Sequence, residues 1–510
     1  MAIMMIMPRR NFSITRSNNQ VFSNAPSSQK EETEAPVQDP TALENGDASI
    51  EQSQLASTTT TTSAASIPLS GLPPDCPSLA GASDVVVVMK TGASEVMDLI
   101  PQRLLTQLRC IPHFEIVSDM EQDMGAIHIH DAVASVSEPY KSTHEDFAFW
   151  RQLQDHHSRG QDMGILKAGR GWELDKWKNI PALHMVYQMH SDKGWFVFID
   201  ADTYLGWPNL LHLLSLHNSS DPWYIGSIWS YGSTAFAQGG TGYIISNAAA
   251  RMFEDVYDDA HVAKWENDTS TACCGDVMLA NAMNDAGVNI TAAVPLVQSE
   301  PPHRLEWSDG MWCTSAVTWH HVRPYEEESL WGFEQERAKE NGGWIANFTL
   351  GYMQIPKPYT YADVFDHMVQ PALTPLRHDW INLSRDRVYT GPTGDHGEED
   401  YRWYNDTKWW DLSEDDRRLV WDGLSDVEKH SIYTVETCQK ACEDDRECLQ
   451  WWHRPGECHV GHVVRLGHTA VTEKMVKEKE DSNTSSGWMV DRIAEVREKF
   501  KGCTPVWDFG

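Results

Sequence analysis

Apolar and polar positions alternate along this chain in a way that predicts strands separated by helices. Val85-Val86-Val87-Val88-Met89 is an unbroken apolar run that ends in Lys90-Thr91-Gly92, the pattern of a buried parallel strand and its turn. Residues 95–109 follow an amphipathic helical pattern interrupted by Pro101. Phe114–Asp119 reads as a second strand ending in an acid. Near 172–190, Trp177, Ile180, Leu183, Val186 and Tyr187 recur at helical spacing. Trp195–Ile199 is a third apolar strand and runs straight into Asp200-Ala201-Asp202-Thr203-Tyr204. Downstream, Gln238–Gly242 is a glycine-rich loop entering a strand, Cys274-Gly275-Asp276 heads a helix, and Ser315–Val322 reads as a strand with paired histidines. Strands alternating with helices, with polar residues where strands end, predict an open α/β sheet with its ligand at the carboxyl edge.

Composition narrows the function classes. The chain has 510 residues, with 74 Asp+Glu against 41 Lys+Arg and a formal net charge of −33. Nucleic acid is excluded as a partner, because a phosphate backbone demands a basic face. Hydrophobic residues make up 41% of the chain, enough for a core. Residues 1–75 are Ser/Thr-rich, with a threonine tract at Thr58–Thr62, and read as a disordered stem. The expected organisation continues with a catalytic domain over 76–345, an irregular extension over 346–425, a second module over 426–500 and a tail over 501–510.

Ten cysteines and the Asn-x-Ser/Thr acceptor motifs at Asn11, Asn218, Asn267, Asn289, Asn347, Asn382, Asn405 and Asn483 point to an oxidising, secretory compartment. Met1–Met7 is apolar, but Pro8-Arg9-Arg10 ends the run, short of the ~20 residues that a membrane span needs. A Golgi lumen location is expected, as a type II membrane protein or in secreted form, with no anchor visible.

Asp200 and Asp202 at a strand end can face one hard cation, which can bridge a diphosphate. Most D-x-D pairs on surface turns are merely solvated acids, but a rigid apolar strand before the pair favours chemistry. The backbone at Gly239 and Gly240 can approach a sugar closely. Asp276 in a first helical turn fits a cap as readily as a catalytic acid, and His320 alone fits a structural histidine. His128 and His130 could share a strand face, without an evident third ligand.

In order, Val85–Thr91, Ser118-Asp119, Trp195–Tyr204, Gly239–Ser246, Gly275–Ala280 and Thr318–Pro324 resemble glycosyltransferase family 31, in its fringe and core-1 β1,3-galactosyltransferase branch. The resemblance implies a GT-A fold, a UDP-sugar donor, manganese and inverting transfer, commonly to a β1,3 linkage on a glycan or glycoprotein acceptor. By that resemblance Asp200, Asp202 and His320 hold the metal, with His321 in the place of a more variable neighbour, and Asp276 is the base. Lys90, Thr91, Asp119 and Asp200, with Gly239 and Gly240, line the nucleotide-sugar site. Gly275 and Ala280 depart from the family pattern. Galactose is expected over N-acetylglucosamine from the Gly242–Ser246 and His320–Val322 segments.

Cys438, Cys442, Cys448 and Cys458, with Gly487-Trp488, resemble a PAN/apple domain, a small disulfide-stapled α+β fold that binds proteins or carbohydrates. That resemblance implies the pairs Cys438–Cys458 and Cys442–Cys448. Cys76–Cys110 and Cys313 with Cys273 or Cys274 are further expected bridges, leaving Cys503 unassigned. The competing expectation is a catalytically inactive fold that binds glycans or proteins through this module.

Overall fold

The computed structural model describes residues 76, 79–166, 171–340, 358–391, 403–404, 407–408, 412–478 and 481–507. The stem and the acceptor motifs at Asn11, Asn347 and Asn405 lie outside them. Eight strands form a mixed sheet in the order Ile290–Ala292, Tyr224–Gly226, Tyr243–Ser246, Trp195–Asp200, Val85–Lys90, Phe114–Ser118, Ile127–Asp131 and Gln122–Met124. The three strands expected from apolar runs are neighbours. Val85–Lys90 pairs in parallel with both others, setting Val87 against Phe114 on one side and Val197 on the other. Val85, Val87 and Met89 pack into one core with Ile199 and Leu210, while Val86 and Val88 pack into another with Leu183 and Val277. Both faces are covered, so the run has no polar alternation. The expected open α/β sheet is therefore present.

Parallel pairing brings the strand ends to one edge, with Lys90 in register with Val117 and Asp200. Tertiary contacts there override two local patterns. The expected 172–190 helix is broken into Gly171–Asp175 and Asn179–His190, because Lys178 turns inward to donate to the Thr91 carbonyl at 2.8 Å. Conversely, Val96–Leu105 stays helical through Pro101. Proline removes one backbone bond there, and the carbonyl released is that of Met97, an exposed residue. Of the expected histidine strand, Thr318–Trp319 pairs with Tyr204–Leu205 and Val297–Gln298, and Ser315 makes an isolated bridge to Thr360.

A second, five-stranded antiparallel sheet runs Arg377–His378, Ser485–Trp488, Gln450–Arg454, Glu457–Gly461, Arg387–Thr390. The helix Val435–Asp444 is stapled to it by Cys438–Cys458 and carries the Cys442–Cys448 bridge. Two of these strands lie in the segment expected to be irregular; they are too short to show a period. Cys76 bonds Cys110 as expected. Cys313 does not reach Cys273 or Cys274, which bond each other; its partner is Cys503. The C-terminal segment runs beside it, with the Val506 N–H on the Cys313 carbonyl at 2.8 Å. Trp307, Trp312 and Trp319 share a core with Val464, Trp488 and Ile493, and the chain from Ile67 to Gly510 forms one compact unit.

One acceptor motif is closed by the fold. Asn382 is buried and its amide donates to the carbonyls of Trp451 and Gly487 at 3.0 and 3.2 Å, whereas Asn218, Asn267, Asn289 and Asn483 are exposed. Among the described residues no helix is long and apolar enough to cross a membrane.

Glu334, on the helix Pro324–Glu340, is buried and accepts from the Tyr359 hydroxyl at 2.8 Å. Burial pushes its carboxyl up to about 8, from 4.5. Its stabilising contribution is thus complete at acid pH and lost as pH rises through the folded value. We expect Glu334→Gln to flatten the decline in Tm between about pH 5 and about pH 8, read from thermal melts across that range. An unchanged slope would remove Glu334 as the source.

Candidate active site

The Asp200–Thr203 turn is held from outside by backbone contacts. Its own Thr203 N–H returns to the Asp200 carbonyl at 2.9 Å. Arg103, buried beneath it, donates from Nε to the Ala201 carbonyl at 2.6 Å. Gln107 donates to the Thr203 carbonyl at 3.0 Å and accepts from the Leu205 N–H at 2.8 Å. Glu327 pairs with Arg103 and bonds Thr106. Burial lowers the Arg103 guanidinium to about 10 against the pull of Asp202.

The two acids face different partners. Asp202 lies 3.5 Å from His320 Nε2 and 3.2 Å from His321 Nδ1. Asp200 lies 3.3 Å from Lys90 Nζ. Asp202, His320 and His321 each offer a ligand atom within 4.8 Å of the others, and among the described residues they are the one three-member group that does so. The sequence placed Asp200, Asp202 and His320 together; the geometry exchanges Asp200 for His321. In a regular strand, consecutive residues point to opposite faces. Here His321 takes φ 57°, a left-handed conformation uncommon outside glycine and concentrated at functional sites. That reversal stacks the two imidazoles at 3.7 Å between centroids. Gly240 is required beside them, because a Cβ there would collide with the His320 ring.

Electrostatics separate the pair further. Burial pulls the Asp202 carboxyl up, but its bonds to His320 and His321 outweigh this and hold it well below the usual range. Asp200 is raised by burial despite Lys90. A carboxylate beside two imidazoles makes a mixed oxygen/nitrogen donor set that could hold a divalent cation.

A second cluster occupies the strand ends. Lys90 pairs with Asp175 at 2.7 Å, and Lys178 with Asp119 at 3.3 Å and Asp175 at 3.8 Å. Burial alone would lower Lys90, but Asp175 and Asp200 raise it. The buried Thr91 Oγ1 has no hydrogen-bond partner in the protein, and beside it Asp119 Oδ2 and Asp200 Oδ1 each lie 3.3 Å from a lysine ammonium, of Lys178 and Lys90, so polar atoms from three adjacent strand ends gather at one edge. Asp276 stands in the first turn of Gly275–Asp285. Its Oδ2 accepts from the Gly239 N–H at 3.0 Å and its Oδ1 from Val277 at 2.9 Å, and burial raises its carboxyl. Gly275 has no room for a side chain against Lys176 and Asn179. His128 and His130 pair instead with Glu121, Asp123 and Glu115, apart from this site.

Sequence reading missed Asp175, Lys178, Arg103, Gln107 and His321. The one available signal was the Asp175-x-x-Lys178 pair interrupting an otherwise amphipathic stretch.

Residues 173–303 match the family model described as Fringe-like. Over that stretch the chain is similar to a Fringe-like domain. Its likeness to glycosyltransferase family 31 stands on that match and on two curated relatives. Glycoprotein-N-acetylgalactosamine 3-beta-galactosyltransferase 1 of Xenopus laevis is 30% identical over 132 residues, 25% of this chain and 35% of that protein. Beta-1,3-glucosyltransferase of Mus musculus is 36% identical over 66 residues, 12% of this chain and 14% of that protein. The chain thus spans well under half the length of either relative. A solved glycosyltransferase involved in the glycosylation of the major capsid of PBCV-1 aligns over 48% of this chain and 98% of its own, at 11% identity and a TM-score of 0.24, too low to carry weight. The Fringe-like match contains the Asp200–Thr203 turn, the Gly239 loop and Asp276, but ends before the histidines.

Manganese titration by calorimetry distinguishes the two ligand sets. Asp202→Asn, His320→Ala and His321→Ala should each weaken binding at least about tenfold, and Asp200→Asn distinctly less. Loss at Asp200 with none at His321 would restore the set read from sequence.

Proposed function

We propose that this chain transfers a sugar from a UDP-sugar to a hydroxyl of a glycan or glycoprotein acceptor, with inversion and a β1,3 linkage, galactose being favoured over N-acetylglucosamine. The observation that carries the reading is the Asp202, His320 and His321 group beside the end of an α/β strand, with Asp276 accepting a hydrogen bond from the Gly239 loop. The activities that name the Xenopus and mouse relatives support hexose transfer and a 3-linkage.

Asp202, His320 and His321 would hold the cation, with Asp200 oriented by Lys90 beside it. Bound manganese supplies charge neutralisation at the departing diphosphate. Lys90 and Lys178 add fixed positive charge at the strand ends, where the Thr91 hydroxyl and Asp119 would line the uridine diphosphate site with them. Asp276 takes the acceptor hydroxyl proton as attack proceeds from the face opposite the leaving group. Its burial raises its proton affinity, as a base needs, while the Gly239 N–H and Lys90 restrain that rise.

The five disulfides among the described residues support a secretory, Golgi-type lumen as the site of action. The stapled C-terminal module is read as a PAN/apple-like domain for protein or carbohydrate ligands.

A panel of UDP-sugars assayed for manganese-dependent UDP release tests the proposal. Asp202→Asn should abolish release, and Asp276→Asn should lower kcat by about 10²–10⁴ while donor KM stays near wild type. Near-normal turnover in Asp276→Asn would remove the base assignment. Absence of release from every donor would leave the chain a binding protein.

A further inference from the structure

The hairpin that leads into the Gly239 loop has features that the donor site does not use. Its strands, Ile228–Tyr231 and Thr234–Ala237, form a two-stranded sheet of their own, with Trp229 opposite Phe236 and Tyr231 opposite Thr234. The root is closed by the Gln238 N–H on the Ser227 carbonyl at 3.0 Å. The next residue, Gly239, donates to Asp276. The return strand is braced on the helix that carries Asp276: Phe236 and Ala237 are buried in the same core as Val277 and Met278, and Thr234 donates to Asn281 at 3.1 Å.

The outgoing strand is exposed at all four positions. Trp229 and Tyr231 are 39% and 58% exposed and, two residues apart, share one face. Trp229 lies about 7 Å beyond the Ser227–Gln238 root at ordinary strand rise, within the span of one or two sugar rings from Asp276. Single exposed aromatics such as Trp172 and Tyr433 need no explanation. A pair on a braced hairpin beside the proposed base does.

Charge selects the occupant. Residues 227–238 contain no Asp, Glu, Lys, Arg or His, in a chain of net charge −33. Neither a basic nor an acidic partner finds a counter-charge there. Flat rings with polar handles, amid Ser227, Ser230, Ser233 and Thr234, suit a neutral ligand with apolar C–H faces and a rim of hydroxyls. We propose that Trp229 and Tyr231 form an acceptor subsite that stacks on a neutral pyranose of the glycan presented to Asp276. This rests on the transferase reading above.

The test uses the full chain with manganese and its best UDP-sugar, and methyl and phenyl glycosides of glucose, galactose, N-acetylglucosamine and N-acetylgalactosamine as acceptors. Trp229→Ala should raise acceptor KM about tenfold or more, with Tyr231→Ala smaller in effect. UDP release without acceptor, manganese affinity and Tm should stay at wild-type values, and Trp229→Phe should recover most of the loss. An unchanged acceptor KM with intact UDP release overturns the subsite and leaves the transferase standing. So does a wild-type protein that releases UDP yet uses none of these glycosides. No UDP release from any donor overturns the transferase reading and this inference with it.

Discussion

The site depends on a buried guanidinium beneath an acidic turn. Asp200 and Asp202 are two carboxyls one residue apart at the end of a strand, and left alone they would repel and splay. Arg103 fixes the carbonyl between them, and Gln107 brackets the residues that follow. Arg103 itself is 2% exposed and needs Glu327 as its counter-charge. Breaking such a buried pair on one side leaves an uncompensated charge, at a cost of about 3–5 kcal/mol. The geometry of the acids is thereby tied to the packing of two helices that carry no site residue of their own.

With the backbone fixed, the side chains are sorted by their neighbours. Lys90 takes Asp200 and two imidazoles take Asp202, so one acid of the D-x-D becomes part of a charge ladder running to Asp175 and Lys178, and the other is left to the histidine pair. Two equivalent acids acquire different duties because their surroundings move their proton affinities in opposite directions. The same ladder explains why the 172–190 segment cannot stay one helix. Lys178 points inward there, to the Thr91 carbonyl, Asp119 and Asp175.

This division marks what the sequence could show. Val85–Met89 and Trp195–Ile199 were legible because a strand buried on both faces must be apolar throughout, and Asp119, Asp200 and Asp202 because they end such strands. Asp276 and Gly239 were legible only through the order of motifs, since neither a capping acid nor a tight turn is distinctive alone. His321 was not legible: its contribution comes from one left-handed residue, and φ leaves no periodic trace. Asp175, Arg103 and Gln107 act through contacts 85 to 98 positions away, which no local window contains. Cys503 likewise finds Cys313 across 190 residues, a pairing fixed by how the C-terminal segment lies and not by spacing.

The C-terminal module bears on the site through one side chain. Trp319 immediately precedes the histidine pair and is fully buried, its ring 6.1 Å from Trp307 and 5.1 Å from Tyr361. That aromatic cluster is completed from the far module by Val464, Trp488 and Ile493, and Arg465 of the module pairs with Glu306 at 2.7 Å. With Trp319 anchored in the shared core, the chain reverses within the next two residues, and His321 adopts its left-handed turn with the Val322 N–H on the Asp202 carbonyl at 2.9 Å. The module therefore closes the hydrophobic core against which the two imidazoles are held. Its packing helps keep both rings directed at Asp202.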